Sequence, residues 1–133
     1  MDPRNCKIAS SNQLVVFYCE ENKHIFAYKS DSFTLNDQSE KTIVNVTSHS
    51  ESAELVSIKS TDENAVIVVF NHFWFTFRIG NDQIVHDRVL ALIGTEITNF
   101  AFSKDFYVAI YNRLQWQVGR NLSLASGVTW LES

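Results

Sequence analysis

Residues 65–77 read Ala-Val-Ile-Val-Val-Phe-Asn-His-Phe-Trp-Phe-Thr-Phe and are the most apolar stretch of the chain. Two runs rich in β-branched and aromatic residues, 65–70 and 73–77, flank the polar pair Asn71-His72, which predicts two antiparallel strands joined by a tight turn. Both runs are apolar at nearly every position, whereas a half-buried strand alternates apolar and polar residues. Strands of this kind need cover on both faces. The hairpin is therefore predicted to lie between two other layers.

The same arrangement occurs twice more, around Asn22-Lys23 and around Asn112-Arg113. Asn tolerates the positive φ that tight hairpin turns demand, so we expect Asn to supply it. The turns lie 49 and then 41 residues apart, and a period near 40–45 is typical of four-stranded propeller blades. The further strand runs that flank these turns are 14–18, 24–28, 106–111 and 114–118.

Residues 90–105 resemble the join between two WD repeats, in which Leu-x-Gly-His precedes an apolar strand ending in Phe-Ser-Pro-Asp-Gly. Residues 114–118, Leu-Gln-Trp-Gln-Val, resemble the closing strand that carries the Trp-Asp pair. The sequence departs from the WD pattern at two positions. Thr95 stands in place of the His, and Gln117 stands in place of the Asp.

The resemblance implies an all-β fold over 1–133, either a single domain or a fragment of a longer propeller, made of three antiparallel four-stranded blades of a partial β-propeller. Their approximate bounds are 5–47, 53–92 and 95–133. A single β-sandwich or barrel stays open as the alternative. Residues 83–92 are predicted to form a further strand in preference to a helix, because the stretch is short and lacks a cap. The polar segments 29–42 and 48–54 are predicted to be exposed loops.

Composition narrows the function classes. The chain has 133 residues and a net charge of −4, without a basic patch, which argues against direct binding of nucleic acid. No apolar run is long enough for a membrane helix, and the start is not a signal peptide. The two cysteines, Cys6 and Cys19, are too few for a disulfide framework, so they are predicted to be small buried apolar residues. A cytoplasmic or nuclear location is the expectation.

Sites for catalysis, metals and cofactors are not predicted. No nucleophile, phosphate-binding or dinucleotide motif occurs, and no histidine has metal-ligand spacing with another His or a Cys. The carboxylate pairs flank turns and are interpreted as solvated charges. We therefore expect no enzymatic activity, no metal and no cofactor. The histidines are His24, His49, His72 and His86.

The aromatic residues suggest a binding function. Strand geometry places Phe73, Phe75 and Phe77 on one face and Trp74 on the other. The run is predicted to be core, with Trp74 as the member to inspect for exposure, because Trp and Phe commonly anchor interfaces. The candidate partner-binding residues are Trp74, Trp116, Trp130 and Phe33, together with the acidic loop 31–54.

Three blades are fewer than the four to eight of known propellers and leave open sheet edges. The sequence therefore predicts a non-catalytic protein–protein interaction or scaffold module that joins another protein, or a second copy of itself, through open β edges. One alternative is a self-contained sandwich or barrel that binds a small ligand or carbohydrate. Another is an accessory subunit of an RNA-modifying enzyme.

Overall fold

A computed structural model describes residues 5–30, 41–60, 65–90, 96–103, 106–111, 115–119 and 129–132, with side chains through Ala101 except Val89 and Leu90. Apart from a short 3-10 turn at Val46–Ser48, the regular elements of this part of the chain are strands. The strands are β1 (Cys6–Ser10), β2 (Leu14–Cys19), β3 (His24–Lys29), β4 (Lys41–Asn45), β5 (Leu55–Ser60), β6 (Ala65–Phe70), β7 (Phe73–Gly80), β8 (Gln83–Leu90), β9 (Ile97–Ser103), β10 (Phe106–Tyr111), β11 (Gln115–Gly119) and β12 (Thr129–Glu132).

The strands form three antiparallel sheets of four, which we call sheet 1 (β1–β4), sheet 2 (β5–β8) and sheet 3 (β9–β12). In each sheet the strands follow one another in chain order, as in an up-and-down meander. The all-β prediction is confirmed, and so is the division into four-stranded antiparallel sheets. The alternative of one closed barrel is not seen, because each described strand pairs only within its own group of four.

Sheet 2 is covered on both faces, as its uninterrupted apolar strands predict. Every residue of Val66–Phe70 and Phe73–Phe77 is at most 3% exposed. On one face Phe70 meets Tyr18 of sheet 1 edge to face, with ring centroids 5.1 Å apart. On the other face Trp74 meets Phe100 of sheet 3, also at 5.1 Å. Burying such a side chain contributes about 1.5–3 kcal/mol to folding, so this double-sided packing holds the three layers together.

The core between sheets 1 and 2 follows from strand alternation. Successive side chains of β2 point to opposite faces, and the burial pattern of its first four residues alternates accordingly. Lys29, 7% exposed, lies at the end of β3 and reaches the β7–β8 turn, where its Nζ donates to Asp82 Oδ1 at 2.9 Å. The buried cluster consists of Leu14, Val16, Tyr18, Ile25, Ala27, Val44, Val46, Ala53, Val66, Val68, Phe70, Phe73, Phe75 and Phe77.

The first strands of the three sheets lie side by side, because β1 contacts β5 and β5 contacts β9. Later strands contact one another between sheets 1 and 2, where β2 meets β6 and β3 meets β8. The three sheets are therefore adjacent at their first strands, and sheet 2 packs face to face against each of the other two.

The turns correct one expectation about asparagine. Positive φ in the β2–β3 turn belongs to Lys23 (φ 55°), while the Asn22 side chain accepts a hydrogen bond from the His24 amide at 3.1 Å. The Asn71 φ is not positive either. Positive φ occurs in the two-residue β7–β8 turn, at Asn81 (52°) and Asp82 (63°). Both central residues of that turn are thus left-handed, as in a type I′ hairpin.

The cysteine prediction is wrong, because Cys6 and Cys19 form a disulfide with a Cα–Cα distance of 4.1 Å. The antiparallel register of β1 and β2 places these two residues directly opposite each other. The sequence does not reveal this register, since β1 carries only a weak strand pattern.

Two segments predicted as exposed loops contain buried residues, and residues 31–40 of the first lie outside the described residues. Residues 29–42 include the buried Lys29 and the start of β4 at Lys41, and residues 48–54 include Ala53, which is 0% exposed. Ala53 belongs to the buried cluster that sheets 1 and 2 share, and Lys29 reaches Asp82 in the β7–β8 turn. Neither contact can be predicted from local polarity.

Candidate functional site

The outward face of sheet 1, opposite to sheet 2, carries an apolar row that crosses all four strands. In the strand register Ile8 pairs with Phe17, Phe17 with Phe26, and Phe26 with Ile43. Side chains at directly paired positions lie on the same face and contact one another. We call these four residues the outer apolar row.

The outer apolar row is open to solvent. Ile8 is 67% exposed and Ile43 is 50% exposed, and they are the two large hydrophobic side chains that are exposed in the described part of the chain. Phe17 and Phe26 between them are half-buried. Isolated exposed apolar residues are normal, but a contiguous set marks an interaction surface.

The middle of the row is made of stacked aromatic rings. Phe17 and Phe26 lie 4.9 Å apart with an interplanar angle of 18°, and Phe17 stacks on Tyr28 at 5.9 Å and 10°. Aromatic side chains have few rotatable bonds, so such a stack presents a rigid surface and loses little entropy when a partner covers it.

Polar groups border the outer apolar row on both sides. The row next to it begins with the Cys6–Cys19 disulfide and continues through His24 to Asn45, which is exposed. The row on the other side ends at Lys41, opposite Tyr28. An apolar centre with a polar border is typical of a protein–protein interface.

The predicted partner-binding residues lie elsewhere. Trp74 is 0% exposed and packs against Phe100 between sheets 2 and 3, so the expectation that it could be an exposed anchor is wrong. Trp116 lies in β11, paired with Ile110 and Leu131, and Trp130 lies in β12, paired with Gln117. Trp130 is therefore held in a sheet and not in a loose tail.

Phe33 lies outside the described residues, as do residues 31–40 of the acidic loop. Sequence reasoning missed Ile8 and Ile43, because both lie in short edge strands with mixed composition. The available signal was the alternation in Lys7-Ile8-Ala9 and Thr42-Ile43-Val44, which is too short to identify a strand without its neighbours.

An open cavity of about 500 Å³ lies at one end of sheets 1 and 2, separate from the outer apolar row. Burial, together with the nearby Glu20 carboxylate, raises the pKa of the Tyr18 hydroxyl well above its ordinary value, so this group stays protonated. The lining mixes charges of both signs and points to no particular ligand. Its residues are Asn5, Lys7, Tyr18, Glu20, Glu54 and Leu55.

A contact between His49 and Arg88 links the 46–53 segment to β8. The Arg88 guanidinium lies 2.6 Å from His49 Nδ1, and the His49 ring meets Phe75 edge to face at 5.3 Å. Burial, the Arg88 charge and the neighbouring His86 lower the pKa of His49. The neutral ring can then accept the guanidinium N–H.

The described residues include no cluster of three or more His, Cys, Asp or Glu side chains that could hold a metal ion. In the same part of the chain, no helix is long and apolar enough to cross a membrane. No protein-family model matches the chain, and no curated protein is significantly similar to it.

Proposed function

We propose that this chain is a non-catalytic protein–protein interaction module, and that it binds a protein partner on the outer apolar row. The observation that supports this is the exposure of Ile8 (67%) and Ile43 (50%) at the two ends of a row whose centre is a stacked Phe17–Phe26 pair.

The two faces of sheet 1 differ in how far their apolar side chains are covered. Its inner face carries apolar residues of similar size and is covered by sheet 2, with Val16 and Ile25 both 0% exposed. The outer face lacks such cover in the described part of the chain. Covering the exposed parts of Ile8 and Ile43 would contribute up to about 1.5–3 kcal/mol for each side chain, which favours association.

The experiment compares wild-type protein with the double variant Ile8→Lys/Ile43→Lys in affinity capture from cell extract, read out by quantitative mass spectrometry. Both residues are exposed at the ends of the row, so the two lysines should not disturb the core. Ser60→Lys, which adds a lysine at an exposed position of β5, is the matched control.

We expect one or more proteins to be retained by wild type and by Ser60→Lys and to be reduced at least about tenfold with the double variant, the effect of losing about 1.4 kcal/mol of binding free energy. Circular dichroism should show that all three proteins are folded. Equal retention by the folded double variant would contradict the proposal.

A further inference from the structure

The three sheets form an ordered stack with two unequal ends. Sheet 2 lies between the others, with Phe70 against Tyr18 on one face and Trp74 against Phe100 on the other. The outer apolar row is therefore one terminal face of the stack, and the side of sheet 3 away from sheet 2 is the other.

Register assigns residues to that second terminal face. Phe100, which contacts Trp74 of sheet 2, pairs with Ala109. Because strand residues alternate between faces, the neighbouring row belongs to the opposite side of sheet 3. That row runs from Asn99 of β9 through Ile110 and Trp116 to Leu131, each paired with the next in the register. Both terminal faces thus carry apolar and aromatic residues across several strands.

The adjacency of the first strands β1, β5 and β9 means that further sheets would be added around a common axis. Rings of such sheets close with typically four to eight members. The described part of this chain supplies three sheets, and two copies together supply six.

The areas of the two terminal faces also favour closure of a ring by two contacts at once. A face of four strands about 4.8 Å apart and five residues long at about 3.3 Å per residue covers roughly 300 Å². A single face-to-face contact would bury roughly 600 Å² from both partners together, below the 1,000 Å² or more of a specific interface. Two such contacts would bury roughly 1,200 Å², within that range.

We infer that the partner on the outer apolar row is a second copy of this chain. Sheet 1 of each copy packs against sheet 3 of the other, and the two contacts, related by a two-fold axis, close a ring of six four-stranded sheets. This inference rests on the proposed function, because it names the partner of the same surface.

The first test is the mass of the purified chain by multi-angle light scattering and native mass spectrometry. Wild type and Ser60→Lys are expected at twice the monomer mass, and Ile8→Lys/Ile43→Lys at the monomer mass. The second test places the photo-crosslinking residue benzoylphenylalanine at position 8. Its intermolecular products should map to β10–β12 of the other copy, with none to the other copy's sheet 1.

Two results would overturn the inference. One is a wild-type monomer at every concentration examined; the other is a dimer whose crosslinks join sheet 1 to sheet 1. The first result leaves the proposed function standing if the double variant still loses a captured protein. Because the crosslinking test uses an otherwise unchanged chain, it stays decisive even if the lysine variant does not fold.

Discussion

Asn71 and Asn22 lie in the turns of two successive hairpins but have different surroundings. Asn22 is exposed and accepts from the His24 amide of its own turn. Asn71 is 7% exposed; its Oδ1 accepts from the Glu54 amide at 3.1 Å and its Nδ2 donates to the Ser52 carbonyl at 3.3 Å. Its own carbonyl accepts from the Ile97 amide at 2.7 Å. One residue therefore joins the central hairpin to the segment before β5 and to the start of sheet 3.

Asn71→Ala is expected to lower the free energy of unfolding by about 1–3 kcal/mol, because two partly buried hydrogen bonds are lost, one from the Glu54 amide and one to the Ser52 carbonyl. Asn22→Ala is the matched control and should cost less, since water can replace its exposed hydrogen bonds. Urea denaturation followed by tryptophan fluorescence measures both. Equal losses for the two variants would mean that burial at Asn71 does not matter.

The Cys6–Cys19 disulfide closes a loop with a sequence separation of 13 residues. Cross-linking a loop of about that length stabilises the folded state by about 3 kcal/mol, mainly because it restricts the unfolded chain. Oxidised wild type should therefore be more stable than Cys6→Ser/Cys19→Ser by roughly this amount.

Reduction with dithiothreitol provides the control for the disulfide. It should bring wild type close to the double serine variant and leave that variant unchanged in the same denaturation experiment. If the oxidised and reduced proteins unfold at the same denaturant concentration, the bond contributes nothing to stability.

At the scale of elements, each strand of sheet 1 contributes side chains to two surfaces, the core against sheet 2 and the outer apolar row. Alternation sends Val16 of β2 inward to the core and Phe17 outward to the row. Sheet 2 differs, because both of its faces are internal. A residue of sheet 2 therefore acts through packing, whereas an outward residue of sheet 1 is free to act through binding.

Trp74→Ala tests that difference within sheet 2. The substitution removes a fully buried indole packed 5.1 Å from Phe100 and is expected to cost about 3–5 kcal/mol of stability. Lys59→Ala, at an exposed position of neighbouring β5, should change stability by at most about 0.5 kcal/mol. Thermal unfolding by circular dichroism compares them. A small loss at Trp74 would contradict its place between sheets 2 and 3.

At the scale of the whole molecule, stability should be highest in the middle of the stack. Contacts are made between neighbouring sheets, so sheet 2 has two neighbours while sheets 1 and 3 have one each. Arrays of this kind are stabilised by the sum of their nearest-neighbour interfaces. Local opening should therefore begin at the outer sheets.

Amide hydrogen exchange measured by mass spectrometry checks this order. In the Ile8→Lys/Ile43→Lys variant, which is expected to be a single copy, peptides covering β6 and β7 should exchange most slowly, and those covering the edge strands β1 and β4 should exchange faster. Slower exchange in β1 than in β6 would contradict the layered arrangement.

The sequence predicted those features of the fold that depend on the pattern of residues within one segment. The hairpin at residues 65–77 has no polar face, and this property alone predicts both strands and their cover on two sides. The spacing of the three Asn-containing turns indicated four-stranded units, since such a repeat leaves a period near 40–45 residues. Short strands such as β1 and β4 could not be predicted from the sequence, because five residues of mixed composition show too little periodicity.

The sequence by itself determined the all-β class, the doubly covered central hairpin and the repeat. The tertiary structure alone decided that Cys6 meets Cys19, that Trp74 is internal, and that Ile8 and Ile43 end a single exposed row. These outcomes depend on strand register and on which sheet covers which face. Register is set by pairing between strands, and cover by packing between sheets, so neither is encoded in the polarity of one segment. The candidate interface is therefore a property of the assembled sheets.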